Sequence, residues 1–387
     1  MRLVVDAVPR SSPGLQKLAD EFTVALDKRA PQGAEAIILR HDPPEPPKPL
    51  TSTRIVPVDQ PVAGVLKKWR WNSRDFVRMG RELNADVVFT MSGIVARQIA
   101  KSFGVVTTVN NMAPFMSPTS VSRSRFSKTW WRNWLLRKAY LDSVSRADRV
   151  VLHSAHAFNM ISRFHGKLGE KTDIVLTGIP SDIAGQQLSP HPLDGTLYFL
   201  YFATIHPYKN HARLIDAYRL ASQSQPDLPQ LLFAGFPQDR MQLGEIEAKI
   251  ENAKLTEKVK YIGTLDRDSI SGWLHHAVAN IYASTCETNP VTLAEVLGSG
   301  GVLACSDEPP MPEVAGSAAA LFDPFSVESI ATVLLRLHGD PQHREELRKL
   351  ATSRARELSW EKCADVMWQA ADQARTTFDK RRRGNSK

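Results

Sequence analysis

Short, strongly apolar runs alternate with longer amphipathic stretches along the whole chain, and this alternation constrains the fold most. Near-continuous apolar strands separated by helical stretches are typical of parallel sheets that are covered on both faces. Eleven such runs exceed one small sheet, so the sequence predicts an α/β protein with two doubly wound domains. The predicted strands are 3–6, 36–39, 87–90, 105–109, 149–152, 173–176, 198–203, 230–235, 259–263, 279–284 and 301–305.

The stretch 178–195 has no strong periodicity and is rich in Gly, Pro and Ser, as a linker should be. It predicts an N-terminal domain over 1–180 and a C-terminal domain over 185–358. A final helix is predicted over 360–378, followed by a basic, frayed tail over 379–387. Residues 1–185 carry 27 basic and 16 acidic side chains, whereas 186–379 carry 17 and 25. A basic half joined to an acidic half indicates two domains with different tasks.

Composition excludes several classes of protein. Apolar residues make up 42% of the chain and aromatic residues 8%, which excludes disorder as the main state. Its three cysteines, Cys286, Cys305 and Cys363, are too few and too scattered for a disulfide framework or a zinc cluster. The N-terminus does not read as a signal peptide, and the longest apolar stretch, 197–205, is too short to span a bilayer. We therefore expect a cytoplasmic protein, soluble or peripheral on a membrane.

The stretch 284–312 is the most informative for chemistry. It follows a predicted strand, and Thr288 and Asn289 are suitable caps for a helix that has Pro290 in its first turn and ends near Leu297. A strand–loop–helix unit of this kind points free backbone N–H groups and the positive helix end at one place, which favours a bound anion such as a diphosphate. Glu287 lies in the loop and Glu295 about two helical turns further on, so both carboxylates can approach one ligand.

These residues resemble a known family. Glu287 and Glu295, the small-residue turn that follows and the Pro-Glu-x-x-Gly of 312–316 look like retaining GT-B glycosyltransferases of the family 4 type, the glycosyl transferases group 1. The stretch 201–210 (YFATIHPYKN) is similar to the family's strand, turn and Lys-Asn or Lys-Gly. The resemblance covers residues 197–378 well and the N-terminal half weakly. The order of these motifs is specific, whereas the spacing of the two glutamates alone is not.

The resemblance implies a GT-B fold, in which two Rossmann-like domains face a central cleft and the C-terminal helix packs back on the N-terminal domain. It implies that Lys209 binds the donor diphosphate and Glu287 the donor sugar hydroxyls, as the catalytic pair. It also implies that Glu295 binds the ribose hydroxyls of the donor. The other donor-binding residues that it implies are Thr204, His206, Asn289, Pro290, Val291 and Thr292. It implies retention of the anomeric configuration, with no cofactor and no metal.

This sequence departs from the family pattern at three places. Thr204 and Tyr208 stand where the family or a subset of it has an arginine, which leaves Lys209 as the cation of this turn. His206 has two interpretations: when protonated against the diphosphate it supplies part of the missing charge, and otherwise it is structural or solvent-facing, which we favour. The family's cleft histidine has no counterpart in 109–115 (VNNMAPF), so Asn110 and Asn111 either take its place or simply form an Asx turn.

Two other features have competing interpretations. Gly14 ends a loop, 9–14, that in the family faces the acceptor and the diphosphate, but a single glycine is a weak signal. Asp266-Arg267-Asp268 has the form of a metal-binding pair of aspartates, yet it precedes a helical stretch, where aspartate is a common cap. We favour capping over metal binding, and we expect Cys286 to be a packed residue and not a nucleophile.

Two basic stretches, 65–81 and 123–138, hold five of the eight tryptophans. Tryptophans on one helical face with basic flanks describe a helix lying in a membrane interface. The candidate surface, for a membrane or an acceptor, comprises Arg123, Arg125, Lys128, Trp130, Trp131 and Trp134. The alternatives are that the aromatic side chains pack in the core of the N-terminal domain, or that they stack on nucleic-acid bases. We expect no nucleic-acid partner, since no nucleic-acid-binding motif accompanies them.

The sequence therefore predicts a glycosyltransferase that moves a hexose-type sugar from a nucleotide diphosphate donor to a saccharide or lipid-linked saccharide. Surface polysaccharide or lipopolysaccharide biosynthesis is its expected setting. The main alternative is a non-catalytic GT-B protein that binds a nucleotide sugar or glycan as a scaffold or partner subunit. An epimerase or phosphorylase of the same fold is a weaker alternative.

Overall fold

The computed structural model describes residues 1–8, 13–41, 49–58, 67, 70–116, 128–184, 188–238 and 240–384, with only the backbone for 13–17 and 128–129. The chain divides into two compact units. Unit 1 comprises Met1–Gly178 together with Ser359–Lys387, and unit 2 comprises Ile179–Leu358. Each is described by itself below.

Unit 1 contains a parallel sheet whose described strands have the order β3-β2-β1-β4-β5-β6-β7. The strands are β1 Arg2–Asp6, β2 Glu35–Arg40, β3 Thr53–Pro57, β4 Val87–Thr90, β5 Gly104–Thr107, β6 Arg149–Leu152 and β7 Thr172–Ile174. The helices that connect them are α1 Pro13–Lys28, α2 Phe76–Glu82, α3 Arg97–Ser102, α4 Lys128–Arg146 and α5 Ala155–Ser162.

Both faces of this sheet are buried, because successive strand residues point to opposite sides. Val4 of β1 belongs to one apolar cluster, together with side chains of α2, α3 and α5. Its neighbours Leu3 and Val5 belong to a second cluster on the other face. The near-continuous apolar character of the strands follows from this double burial.

Unit 2 repeats the arrangement with six strands in the order β10-β9-β8-β11-β12-β13, all parallel. The strands are β8 Tyr198–Phe202, β9 Gln230–Ala234, β10 Val259–Tyr261, β11 Ala279–Tyr282, β12 Leu303–Ser306 and β13 Ala319–Phe322. Its helices are α6 His211–Ser224, α7 Arg240–Asn252, α8 Ile270–His276, α9 Val291–Gly298, α10 Met311–Ala315, α11 Val327–Gly339 and α12 Pro341–Ala355.

The last helix, α13 Trp360–Gly384, belongs to unit 1. Trp360, Met367 and Trp368 enter the second apolar cluster of that unit, and the Trp368 indole N–H donates to the Leu26 carbonyl at 3.1 Å. The prediction of a frayed tail from residue 379 was wrong for residues 379–384. Helix α13 continues through them because Arg381 pairs with the buried Asp148 at 2.9 Å. Residues 385–387 lie outside the described part.

The predicted α/β class with two doubly wound parallel sheets is confirmed. The eleven predicted strands are present, and two short ones, β3 and β13, were missed. Both lie at the edge of their sheet, and only one side chain of each is buried, so neither has the run of buried residues that marks the inner strands. Gly14, expected in a loop, lies in the first turn of α1. Within the described residues, no helix is long and apolar enough to cross a membrane.

Candidate functional site

The strand order of unit 2 reverses between β8 and β11, which are adjacent in the sheet although three helices and two strands separate them in sequence. The chain leaves β8 toward β9, on one side of the sheet, and leaves β11 toward β12, on the other side. The two loops therefore diverge and open a crevice at the carboxyl edge. In doubly wound sheets ligands bind in the crevice at this switch point. The loop after β8 carries Lys209, and the loop after β11 carries Glu287.

Lys209 ends a short 3-10 turn, Pro207–Lys209, that connects β8 to α6. Asn210 follows with φ of 63°, a left-handed conformation that asparagine tolerates better than most residues. The Tyr201 hydroxyl of β8 donates to the Lys209 carbonyl at 2.6 Å. These contacts hold the lysine backbone against the end of its own strand, with the side chain buried.

A close approach of two loops also fixes the position of this turn. Gly235 follows β9 with φ of +136°, and a Cβ placed there would lie 2.1 Å from the Ala203 carbonyl oxygen. Beyond it, the Ile205 N–H donates to the Phe236 carbonyl at 3.1 Å. Glycine at 235 is therefore required for the loop after β8 to pack against the loop after β9.

Glu287 accepts three hydrogen bonds on one oxygen. Its Oε1 lies 2.5 Å from Lys209 Nζ, 2.9 Å from the Tyr282 hydroxyl and 2.6 Å from the Ser284 hydroxyl. The Tyr282 hydroxyl also accepts from Lys209 Nζ at 2.7 Å. The side chains of Lys209 and Glu287 are only 9% and 11% exposed. We call these four residues, Lys209, Tyr282, Ser284 and Glu287, the Lys–Glu cluster.

Backbone contacts join the two loops that carry the cluster. The Tyr208 carbonyl accepts from the Thr285 N–H at 2.8 Å and from the Thr285 hydroxyl at 3.2 Å. The Ser284 hydroxyl lies 3.4 Å from the same carbonyl. Because both loops are held at backbone level, the positions of Lys209 and Glu287 are set before any ligand binds.

The cluster can bind an anion and hydroxyl groups at one place. An ammonium group has three N–H donors, and within the described residues Lys209 uses two of them, on Tyr282 and Glu287. An ionised carboxylate accepts only, and Glu287 has its three described donors on one of its two oxygens. A diphosphate and a polyhydroxylated sugar are ligands that present the complementary groups.

His206 is not the additional cation that the sequence suggested. Burial, followed by the positive charge of Lys209, lowers the pKa of this imidazole, against the opposite effect of Glu287. Its ring lies 4.2 Å from the Tyr208 ring, and Nδ1 is buried without a hydrogen-bond partner among the described residues. His206 is therefore neutral at pH 7, and Thr204, half-buried beside it, carries no charge.

Helix α9 begins one residue later than predicted. Val291 is its first residue and Pro290 stands at the cap, so neither Thr288 nor Asn289 occupies the cap position predicted for them. Val291 N–H donates to the Asn289 carbonyl at 2.9 Å, a tight turn that leaves Asn289, Val291 and Thr292 half-buried. The predicted end near Leu297 is confirmed within one residue.

Glu295 lies on α9, apart from the contacts of the Lys–Glu cluster. Its side chain is 8% exposed, and Oε1 accepts from Arg267 Nη1 at 2.6 Å. Arg267 also donates from Nε and Nη2 to Asp182. The predicted side-chain capping by Asp266 is wrong, because this residue precedes the 3-10 turn 267–269 without a side-chain cap. Within that tripeptide, the arginine between the two aspartates makes the contacts with Glu295 and Asp182.

Sequence reasoning missed one more residue near the cluster. His211, the first residue of α6, is 2% exposed and stacks on the Tyr201 ring at 4.6 Å. Neither ring nitrogen has a hydrogen-bond partner among the described residues. Burial, followed by the charge of Lys209, lowers the pKa of His211 to about 3. Cys286 is buried, and burial with the charge of Glu287 raises its thiol pKa to about 12, as expected of a packed residue.

The candidate residues of unit 1 are of two kinds. Asn110 donates to the Met91 carbonyl at 2.9 Å, and Asn111 accepts from the Ala113 N–H at 3.0 Å, which is the Asx turn weighed above. On α4, Trp131 and Trp134 are 51% and 40% exposed, whereas Trp130 is half-buried. Core packing is therefore wrong for the two exposed rings. Arg123 and Arg125 lie outside the described residues, as does the side chain of Lys128.

Comparison with known proteins agrees with this geometry. Residues 188–354, all in unit 2, match the family model described as glycosyl transferases group 1. Among curated proteins, the chain is 27% identical to O-antigen chain mannosyltransferase B of Escherichia coli. That match covers 43% of this chain and 43% of that protein, so the chain spans less than half the length of this relative.

Two solved structures share the fold. Sucrose-phosphate synthase from Thermosynechococcus elongatus has a TM-score of 0.74 and 17% identity, with 96% of this chain and 98% of that chain covered. HepE from Anabaena, in complex with UDP and glucose, has a TM-score of 0.70 and 15% identity, with 96% and 99% covered. The fold is that of the GT-B glycosyltransferases. These likenesses show the fold, and the likeness to the glycosyl transferases group 1 family model is confined to residues 188–354.

Removing one member of the buried ion pair leaves the other as an uncompensated charge. We expect Glu287→Gln and Lys209→Met each to lower the free energy of unfolding by about 3–5 kcal/mol. The double variant should be more stable than the sum of the two single losses. Urea denaturation of all four proteins measures this coupling, and strictly additive losses would show that the two side chains do not interact.

His211 makes stability depend on pH. Its pKa is near 6.5 in an unfolded chain and about 3 in the fold, so its contribution is complete above pH 6.5 and is lost as pH falls toward 3. The loss is up to about 1.4 kcal/mol per pH unit. His211→Phe, which keeps the ring stack, should flatten the decline in unfolding free energy between pH 7 and 4.5. His41→Gln, at an exposed position, is the control; parallel curves for wild type and His211→Phe would contradict the assignment.

Proposed function

We propose that this protein is a glycosyltransferase that transfers a hexose-type sugar, with retention, from a nucleotide diphosphate sugar to a saccharide or lipid-linked saccharide. The observation that carries the proposal is the buried Lys209–Glu287 pair at the switch point of unit 2. This unit contains the part of the chain that matches the family model. Retention and the hexose class rest on the family resemblance.

In this proposal Lys209 neutralises the diphosphate that leaves with the nucleoside. The bond between the sugar and the diphosphate breaks with charge developing on the leaving oxygen, so a positioned cation stabilises the transition state. Since Lys209 already sits in place through Tyr282 and Glu287, it needs no large movement to donate its third N–H. Asn289 to Thr292 lie at the N-terminus of α9, whose partial positive charge favours the same anion.

Glu287 is assigned to the donor sugar. Its carboxylate, paired with Lys209, accepts sugar hydroxyls, while Tyr282 and Ser284 hold its orientation. Glu295 is assigned to the ribose hydroxyls. The proposal gives no role to a metal ion or a cofactor.

The compared proteins support the substrate class. The HepE structure is a complex with UDP and glucose, and the relative from Escherichia coli is an O-antigen chain mannosyltransferase. We therefore propose a nucleotide diphosphate sugar as donor. The proposed setting is surface polysaccharide or lipopolysaccharide assembly on the cytoplasmic side of a membrane. Asn110, Asn111 and Gly14 of unit 1 remain proposed contacts of the acceptor.

A non-catalytic scaffold is the second candidate. It is favoured by Thr204 and Tyr208, which stand where the family or a subset has cations, and by the neutral His206. Such a protein would bind the nucleotide sugar without turning it over.

Activity of two variants separates these candidates. Glu287→Ala should reduce turnover at least about a hundredfold, on the order of 3 kcal/mol, if this carboxylate contacts the reacting sugar. Lys209→Ala should raise the donor KM and lower kcat together. Release of nucleoside diphosphate from a panel of nucleotide sugars, with and without saccharide acceptors, is the measurement.

Controls keep that experiment interpretable. Glu257→Ala and Lys349→Ala change exposed residues of unit 2 and should leave turnover unchanged. Circular dichroism at the assay temperature verifies that each variant is folded. Binding of a nucleotide sugar without turnover by wild type would favour the scaffold, and normal turnover by folded Glu287→Ala would show that the site assignment is wrong.

We also propose that α4 lies against an anionic membrane. Trp131, Trp134 and Leu135 form an exposed apolar surface, and Arg132 and Lys138 beside them are exposed as well. Amphipathic helices with this composition bind the headgroup region.

Vesicle sedimentation tests this surface. The double variant Trp131→Ala/Trp134→Ala should lose most binding to vesicles that contain anionic phospholipid while keeping its melting temperature, because the rings are exposed. Leu220→Ala, at an exposed apolar position of unit 2, is the matched control. Unchanged vesicle binding by the double variant would contradict the proposal.

A further inference from the structure

A second charged cluster in unit 2 joins three segments that are far apart in sequence. Arg267, in the turn after β10, donates from Nε and Nη2 to the two oxygens of Asp182 at 2.7 and 2.8 Å. Its Nη1 donates to Glu295 Oε1 on α9 at 2.6 Å. The guanidinium thus makes a two-pronged contact on one side and a single contact on the other, which fixes its plane.

The charges of this triad suit a site that accepts hydroxyl donors. Two carboxylates and one guanidinium leave one net negative charge, and the Glu295 side chain is 8% exposed. Burial lowers the pKa of Arg267, but its hydrogen bond with Asp182 and the charge of Glu295 outweigh burial and raise it overall. Arg267 is therefore a permanent cation that donates to Glu295 Oε1 and fixes the direction of this carboxylate.

Packing fixes Asp182 in turn. Its neighbours Ile179 and Ile183 are 8% and 3% exposed. A Cβ placed on Gly298 would lie 2.4 Å from Ile179 Cγ2 and 3.2 Å from Ile183 Cγ2, so both isoleucines rest on the last turn of α9. The segment 179–184 is thus held to α9 at two points. The contact at Gly298 is apolar, and the contact at Glu295 is ionic and is made through Arg267.

We propose that Arg267 is a positioning residue for Glu295, with Asp182 as its brace, and that the triad orients the carboxylate that recognises the ribose of a nucleoside diphosphate. This inference rests on the proposed function, which assigns the ribose to Glu295. Lysine cannot replace the arginine, because a single ammonium group lacks the planar fork that bridges two carboxylates.

The test compares binding of ribose and deoxyribose ligands by titration calorimetry. The probes are UDP and GDP with their 2′-deoxy and 3′-deoxy forms. Wild type should bind the ribose form of the preferred nucleotide about tenfold or more tightly than the weaker deoxy form, as expected for a hydrogen bond to a charged group. In Arg267→Lys this ratio should fall to within about twofold, while affinity for the deoxy form stays close to that of wild type.

Four further variants sharpen the result. Asp182→Asn should give an intermediate ratio, because the brace loses its charge and keeps its shape. In Glu295→Gln the ratio should fall as in Arg267→Lys. In the double variant Arg267→Lys/Glu295→Gln the ratio should fall no further. Arg149→Lys, whose arginine makes a forked contact with Asp173 in unit 1, is the matched control and should keep the wild-type ratio.

The outcomes separate the two proposals. Binding of UDP or GDP by wild type with an unchanged ratio in folded Arg267→Lys would overturn the positioning role. An equal loss of affinity for ribose and deoxy forms, together with a lowered melting temperature, would also overturn it, since Arg267 would then be structural only. No binding of either diphosphate by wild type would overturn the proposed function, and the inference with it.

Discussion

The buried ion pair between Lys209 and Glu287 is the interaction on which the switch point of unit 2 depends. Each charge is tolerated at that depth because the other is present and because Tyr282 and Ser284 add hydrogen bonds. The pair also connects the loop after β8 to the loop after β11, which the sheet order alone brings side by side. Removing either charge would therefore disturb both the stability of unit 2 and the geometry of its crevice.

The same pair determines the charge and the preorganisation that the crevice offers to a ligand. In the proposed function, a diphosphate that binds beside Lys209 meets a cation that is already oriented, so little side-chain rotamer entropy remains to be lost on binding. The positive charge beside it is limited, because His206 is neutral and Thr204 uncharged. The proposed donor site thus relies on one lysine and on backbone N–H groups. Glu295 belongs to a separate ionic triad that anchors the segment 179–184 to α9.

The sequence was sufficient for the two sheets and for Lys209 and Glu287, because apolar runs mark strands and the motif spacing marks the loops that follow them. It was not sufficient for the partners of those residues. The sequence predicted Tyr282 only as a strand residue, and it predicted Arg267 only as the neighbour of two capping aspartates. Its partner Asp182 lies 85 positions away, in a predicted linker. Such contacts arise only when the strand order brings distant loops together, and the neutral state of His206 depends on burial that no local pattern reveals.

A crystal structure of the protein with a bound nucleoside diphosphate tests the central claim most directly. The account predicts diphosphate oxygens within hydrogen-bond distance of Lys209 Nζ, at the carboxyl edge between β8 and β11, with the ribose hydroxyls on Glu295. A nucleotide bound in unit 1, or elsewhere on unit 2 with the Lys–Glu cluster out of contact, would contradict it.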